Sequence, residues 1–117
     1  MTVAGSCHCG AVRFELNEAP ARVTSCNCSI CRRLGTLMAY YHPAQVRVSG
    51  PTVAYSWGDR SIAFHHCGTC GCTTHWSSLD PAQAERMAVN ARLLPPDVIA
   101  TVPVRHFDGA ESWTFLD

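Results

Sequence analysis

The chain contains no lysine, and its nine arginines are balanced by nine aspartates and glutamates. A net charge of zero argues against nucleic acid as a partner, because that binding rests on a cationic surface displacing counterions. It gives no reason to expect a membrane surface either. No stretch approaches the roughly 18 apolar residues of a membrane span, and the first residues hold no apolar run of the signal-peptide kind. No internal repeat or low-complexity linker divides the sequence. These absences predict a single cytoplasmic domain over residues 1–117. A chain of this length buries roughly two-thirds of its unfolded surface. In that compartment structural disulfides are disfavoured.

Against that plain background stand eight cysteines. A secreted disulfide scaffold, with about 105 possible pairings of eight thiols, is disfavoured by the clustering of the cysteines and by the missing signal. Metal or catalysis is the expectation instead.

The rest of the chain reads as many short strands punctuated by Gly and Pro, an all-β pattern. Gly5 to Gly10 forms a glycine-bracketed turn. From Ala11 to Leu16, Val12, Phe14 and Leu16 alternate with Arg13 and Glu15, as a half-buried strand does. A short strand at Arg22 to Ser25 delivers Cys26, and a helical piece runs from Ser29 to Leu34 and stops at Gly35. Leu37 to His42 is a strand. Val46 to Ser49 and Thr52 to Trp57 flank Gly50-Pro51 and read as a hairpin. Ser61 to His66 leads into the third thiol group, and Thr73 to Trp76 leads out of it. Asp80-Pro81 opens a short turn or helix to Glu85, with a strand from Met87 that Pro95-Pro96 stops. Val102 to Phe107, Asp108-Gly109 and Ser112 to Phe115 read as a final hairpin.

The thiols fall into three groups: Cys7 and Cys9; Cys26, Cys28 and Cys31; Cys67, Cys70 and Cys72. None closes a metal site alone. Cys67-x-x-Cys70-Gly71 has the spacing of a zinc knuckle, a tight turn that places two sulfurs on one ion. Cys7-x-Cys9 supplies two more, since alternate residues of an extended chain face one side. Together they make a closed four-thiolate site of the structural kind. Cys26, Cys28 and Cys31 remain, one ligand short of a tetrahedron. If Cys72 completes them, both sites are closed; if not, the second has the open position that catalytic zinc keeps.

His8, His65, His66 and His75 sit beside thiol groups, where histidines more often support ligands than serve as them. His42 and His106 carry no motif. Arg32 and Arg33 directly follow the second group and suit thiolates or an anionic substrate; two solvated arginines are an equal reading. Tyr40, Tyr41, Trp57, Trp76 and Trp113 are expected in the core or a cleft wall.

As a whole, Gly5-Ser-Cys-His-Cys-Gly-Ala-Val-Arg-Phe-Glu, Ser25-Cys-Asn-Cys-Ser-Ile-Cys-Arg-Arg and Cys67-Gly-Thr-Cys-Gly-Cys-Thr-Thr-His-Trp resemble the glutathione-dependent formaldehyde-activating family, which includes the centromere protein V domain. Asn90-Ala-Arg and Arg105-His-Phe-Asp-Gly extend the resemblance more weakly. It implies a β-tent fold of several short antiparallel coiled sheets held by two zinc sites. Carried over by position, Cys7, Cys9, Cys67 and Cys70 match structural zinc ligands, and Cys26, Cys28 and Cys31 match catalytic ones. The implied activity is a carbon–sulfur lyase that condenses a small thiol, glutathione, with a small aldehyde, formaldehyde, to S-hydroxymethylglutathione. A non-enzymatic zinc module for protein interaction is the alternative.

Overall fold

A computed structural model describes residues 2–117. Ten short strands run through it: β1 (Val3–Ser6), β2 (Arg13–Leu16), β3 (Val23–Cys26), β4 (Met38–Tyr41), β5 (Val46–Ser49), β6 (Thr52–Tyr55), β7 (Ile62–Cys67), β8 (Thr73–Ser78), β9 (Met87–Asn90) and β10 (Val104–Phe107). Two one-turn helices, α1 (Cys31–Leu34) and α2 (Pro96–Ile99), complete it. The all-β expectation holds. The strands form two sheets, one of order β1-β2-β5 and one of order β10-β3-β4-β9-β8-β7-β6. Every pairing is antiparallel except β10 with β3, which is parallel and sets Phe107 opposite Cys26.

Period-two patterning built β2: Phe14 and Leu16 are buried while Arg13 and Glu15 face solvent. Each such side chain contributes on the order of 1.5–3 kcal/mol of burial. In β9 all four residues are buried, because the strand lies inside the larger sheet with both faces covered. Met87 and Val89 pack with Phe14, Leu16, Val23, Tyr41 and Leu94. Ala88, from the opposite face, packs with Met38, Phe64, Trp76 and Cys31. The second core therefore reaches directly to a thiol group.

Several local readings are corrected. Val46–Ser49 and Thr52–Tyr55 do not pair with each other: β5 joins β2, β6 joins β7, and Gly50-Pro51 is where the chain crosses between sheets. Gly5 lies in a strand rather than a turn, opposite Phe14, where a Cβ would come within 2.7 Å of that ring. Pro96 opens α2 instead of merely ending a strand, since proline suits a first helical turn. The alternation from Met87 to Leu93 is strand only to Asn90, whose side chain accepts from the Arg92 N–H and turns the chain into a 3-10 segment. The last hairpin reduces to one bridge, Phe107 to Phe115. No helix is long and apolar enough to cross a membrane among the described residues.

Candidate metal centres

The Cys7, Cys9, Cys67 and Cys70 sulfurs all lie within 4.8 Å of one another. Cys7 follows β1 directly and Cys67 ends β7, so this group sits where the two sheets meet. Cys7 and Cys67 are buried, and they share a small core with Val12. The turn after Cys67 closes with the Gly71 N–H donating to the Cys67 carbonyl at 2.9 Å. Backbone N–H groups also aim at sulfur: Val12 to Cys7 at 3.3 Å and Thr69 to Cys67 at 3.4 Å. The N–H groups of Cys72 and Cys9 hold the Cys70 thiol down to about 5, which favours its thiolate form. Cys7 to Cys9 and Cys9 to Cys67 sulfur separations are both 3.7 Å. A regular tetrahedron with Zn–S bonds near 2.3 Å has edges of about 3.8 Å. The donor set fits a zinc-sized ion.

The Cys26, Cys28 and Cys31 sulfurs form the second group, also within 4.8 Å of one another. Cys26 ends β3 and Cys31 opens α1, so four residues of loop and one helical turn gather three thiols. The Cys28 N–H donates to Cys26 sulfur at 3.4 Å, and the Cys31 N–H to Cys28 sulfur at 3.5 Å. Burial works against ionising Cys28, yet N–H groups of Cys31 and Ile30 and the neighbouring thiols bring it below its ordinary value. Burial pushes the Cys31 thiol up, and the charge on Cys28 pushes it further. Burial raises Cys26 as well. Of the three sulfurs only Cys28 is shifted toward its ionised form, and a bound dication would favour ionising all three. Thr36 supports the same fit. Its hydroxyl is buried without a conventional partner, and the atom it would favour is an ionised Cys31 sulfur.

Cys72 joins neither set. It packs against Cys7, Val12 and Cys67, and its carbonyl accepts from the Cys67 N–H. The second group therefore keeps three thiols.

The histidines divide. His65 and His75 face each other across β7 and β8 with rings stacked 4.2 Å apart, bound to Thr52, Ser77 and Thr74 hydroxyls. His42 caps a 3-10 turn through Nδ1, which accepts from the Ala44 N–H, and Gln45 answers it; the His-Pro-x-Gln spacing was a capping signal. His106 pairs with the Asp117 carboxylate. Arg32 and Arg33 are both exposed on α1, and Arg33 donates to the Ser29 carbonyl at 2.8 Å. Trp76 and Tyr41 are buried as expected, whereas Trp57, Tyr40 and Trp113 are exposed, Trp113 to 70%.

Burial of His75, with a smaller push from His65, lowers its pKa from 6.5 to about 4. Between those values the unfolded chain binds more protons than the folded one, so stability falls as pH drops through that window. A shift of this size corresponds to about 3 kcal/mol. In urea unfolding from pH 7 to pH 4, the advantage of the wild type over His75→Gln should shrink steadily; parallel curves would contradict it.

A model of the family described as glutathione-dependent formaldehyde-activating enzyme matches residues 2–104. A crystal structure of a Rhodobacter sphaeroides protein is similar at 33% identity and a TM-score of 0.69. The match covers 86% of this chain and 98% of that one.

Proposed function

This chain belongs to the glutathione-dependent formaldehyde-activating enzyme family, and from that premise we propose that it is a single-domain, cytoplasmic, zinc-dependent carbon–sulfur lyase with one structural and one catalytic zinc. Cys7, Cys9, Cys67 and Cys70 hold the first ion; Cys26, Cys28 and Cys31 hold the second. The observation that carries the reading is the second group's count: three converging thiols, with Cys72 packed elsewhere. Three protein ligands leave a coordination position for substrate.

The reaction is addition of a small thiol, glutathione, to formaldehyde or a related small aldehyde. A carbon–sulfur bond forms, the carbonyl π bond opens, and the thiol proton ends on the new hydroxyl. Bound at the second group, zinc supplies a Lewis acid and a resting place for thiolate. The chain's own residues set the stage. The N–H groups of Cys28 and Cys31 orient the loop sulfurs, and the unpartnered Thr36 hydroxyl has a proton left to give to an ionised Cys31. Arg32 offers a guanidinium to a glutathione carboxylate, Arg33 being engaged with Ser29.

Native mass spectrometry with metal quantification should find two zinc ions per chain. With both loaded, glutathione and carbon-13 formaldehyde should give the hydroxymethyl adduct by NMR faster than the uncatalysed background. A rate equal to background with the second site full would end the formaldehyde assignment. One zinc alone, held by the four-thiol group, would end the resident-zinc reading.

A further inference from the structure

Resting on the reading that the three-thiol group holds a metal, we propose that Asn27, Asp108 and Gly109 are positioning residues for that site, the strap after β10 fixing where the Cys26 sulfur stands. The parallel pairing of β10 with β3 brings Phe107 level with Cys26. The residues that follow β10 must then pass beside the thiol loop. They do so under a reciprocal clamp. Asn27, between two cysteines, donates through Nδ2 to Asp108 Oδ1 at 3.0 Å, and its Oδ1 accepts from the Ala110 N–H at 3.0 Å. The Asn27 N–H donates to the Phe107 carbonyl at 3.2 Å. Asp108 is held in turn by the Ser112 N–H at 3.1 Å and hydroxyl at 2.8 Å. Phe107 braces the strap from behind, edge-on to Trp113 and Phe115.

The clamp presses Gly109 onto the sulfurs. A Cβ there would lie 2.7 Å from Cys26 Sγ and 3.1 Å from Cys28 Cβ. A strap lying this close to the thiol loop has room only for a residue without a side chain. An added methyl therefore has two escapes: it swings the Cys26 sulfur out of the set, or it lifts the strap off the thiol loop and strains the Asn27 clamp. Either one degrades the same site. The four-thiol group is built from β1, β7 and their turns, so it is untouched. Groups that orient metal ligands typically carry 10–100-fold of metal affinity.

The test is cobalt(II) titration of the full chain, following thiolate-to-cobalt charge-transfer and d–d absorption, with chelator competition for affinity. Wild type should take two equivalents with separable affinities. Gly109→Ala and Asn27→Ala should each bind the second equivalent about 10–100-fold more weakly, with a displaced d–d band and an unchanged first equivalent. If Gly109→Ala fails to fold, Asn27→Ala decides alone. Wild-type affinity and spectrum for the second equivalent in the folded variants would overturn the positioning role and leave the two-metal reading standing. A wild type that takes one equivalent overturns both.

Discussion

Cys67→Ser is expected to abolish the folded state rather than merely weaken it. The residue ends β7, is 1% exposed, and belongs to the group that ties the three-stranded sheet to the seven-stranded one. Phe14 and Leu16 of the smaller sheet also pack on Met87 and Val89 of the larger one, but the corner beside Cys67 rests on the thiol group. Its apolar core consists of Cys7, Val12 and Cys67, with Val48, Cys70 and Cys72 around them. Structural zinc in small peptides is worth roughly 10–16 kcal/mol at neutral pH, and a domain's whole stability is about 5–15 kcal/mol. Losing even a third of the first figure, about 3–5 kcal/mol, matches the low end of the second. Serine also leaves a hydroxyl among three sulfurs, where it is a poor substitute ligand. Far-UV circular dichroism and proton NMR dispersion should therefore report an unfolded chain at room temperature. A cooperative transition within about 1 kcal/mol of wild type would show that the four-thiol site does not hold the fold.

The partition of the cysteines was legible because it rests on spacing, which is local. Cys67-x-x-Cys70 must turn, Cys7-x-Cys9 must face one way, and three thiols within six residues must converge; the structure brings each set together. The alternation of Phe14 and Leu16 with Arg13 and Glu15 was legible for the same reason. Sheet membership was not. Gly50-Pro51 carries the same signal whether it closes a hairpin or passes the chain from one sheet to another. Only the distant partners, β2 for β5 and β7 for β6, decide between them. The strap was missed likewise: Asp108-Gly109 has hairpin chemistry, and nothing local says that β10 runs parallel to β3 and delivers it to Cys26. Asn27 was hidden in plain view between two ligand candidates. Its meaning comes from residues 81 and 83 positions away.

Cys28→Ser should give the opposite phenotype to Cys67→Ser: a folded chain with one metal instead of two and no catalysed adduct formation. Cys28 lies on the loop between β3 and α1, in contact with a core that Met38, Phe64, Trp76 and Ala88 build without it. Serine is nearly isosteric, and its oxygen can still accept from the Cys31 N–H, so the loop keeps its shape. A surface-side change of this kind costs on the order of 1 kcal/mol. The metal is another matter. Cys28 is the one thiol of the three brought below its ordinary value, because the Cys31 and Ile30 N–H groups together with the Cys31 and Cys26 thiols offset its burial. Removing it leaves Cys26 and Cys31, both raised by burial, as reluctant partners for a dication. Native mass spectrometry should lose one metal equivalent while circular dichroism and the urea midpoint stay near wild type. The adduct rate should fall to the solution background. Comparable unfolding of Cys28→Ser and Cys67→Ser would erase the distinction between a structural and a catalytic site. Two retained metals with full activity would remove Cys28 from the working set.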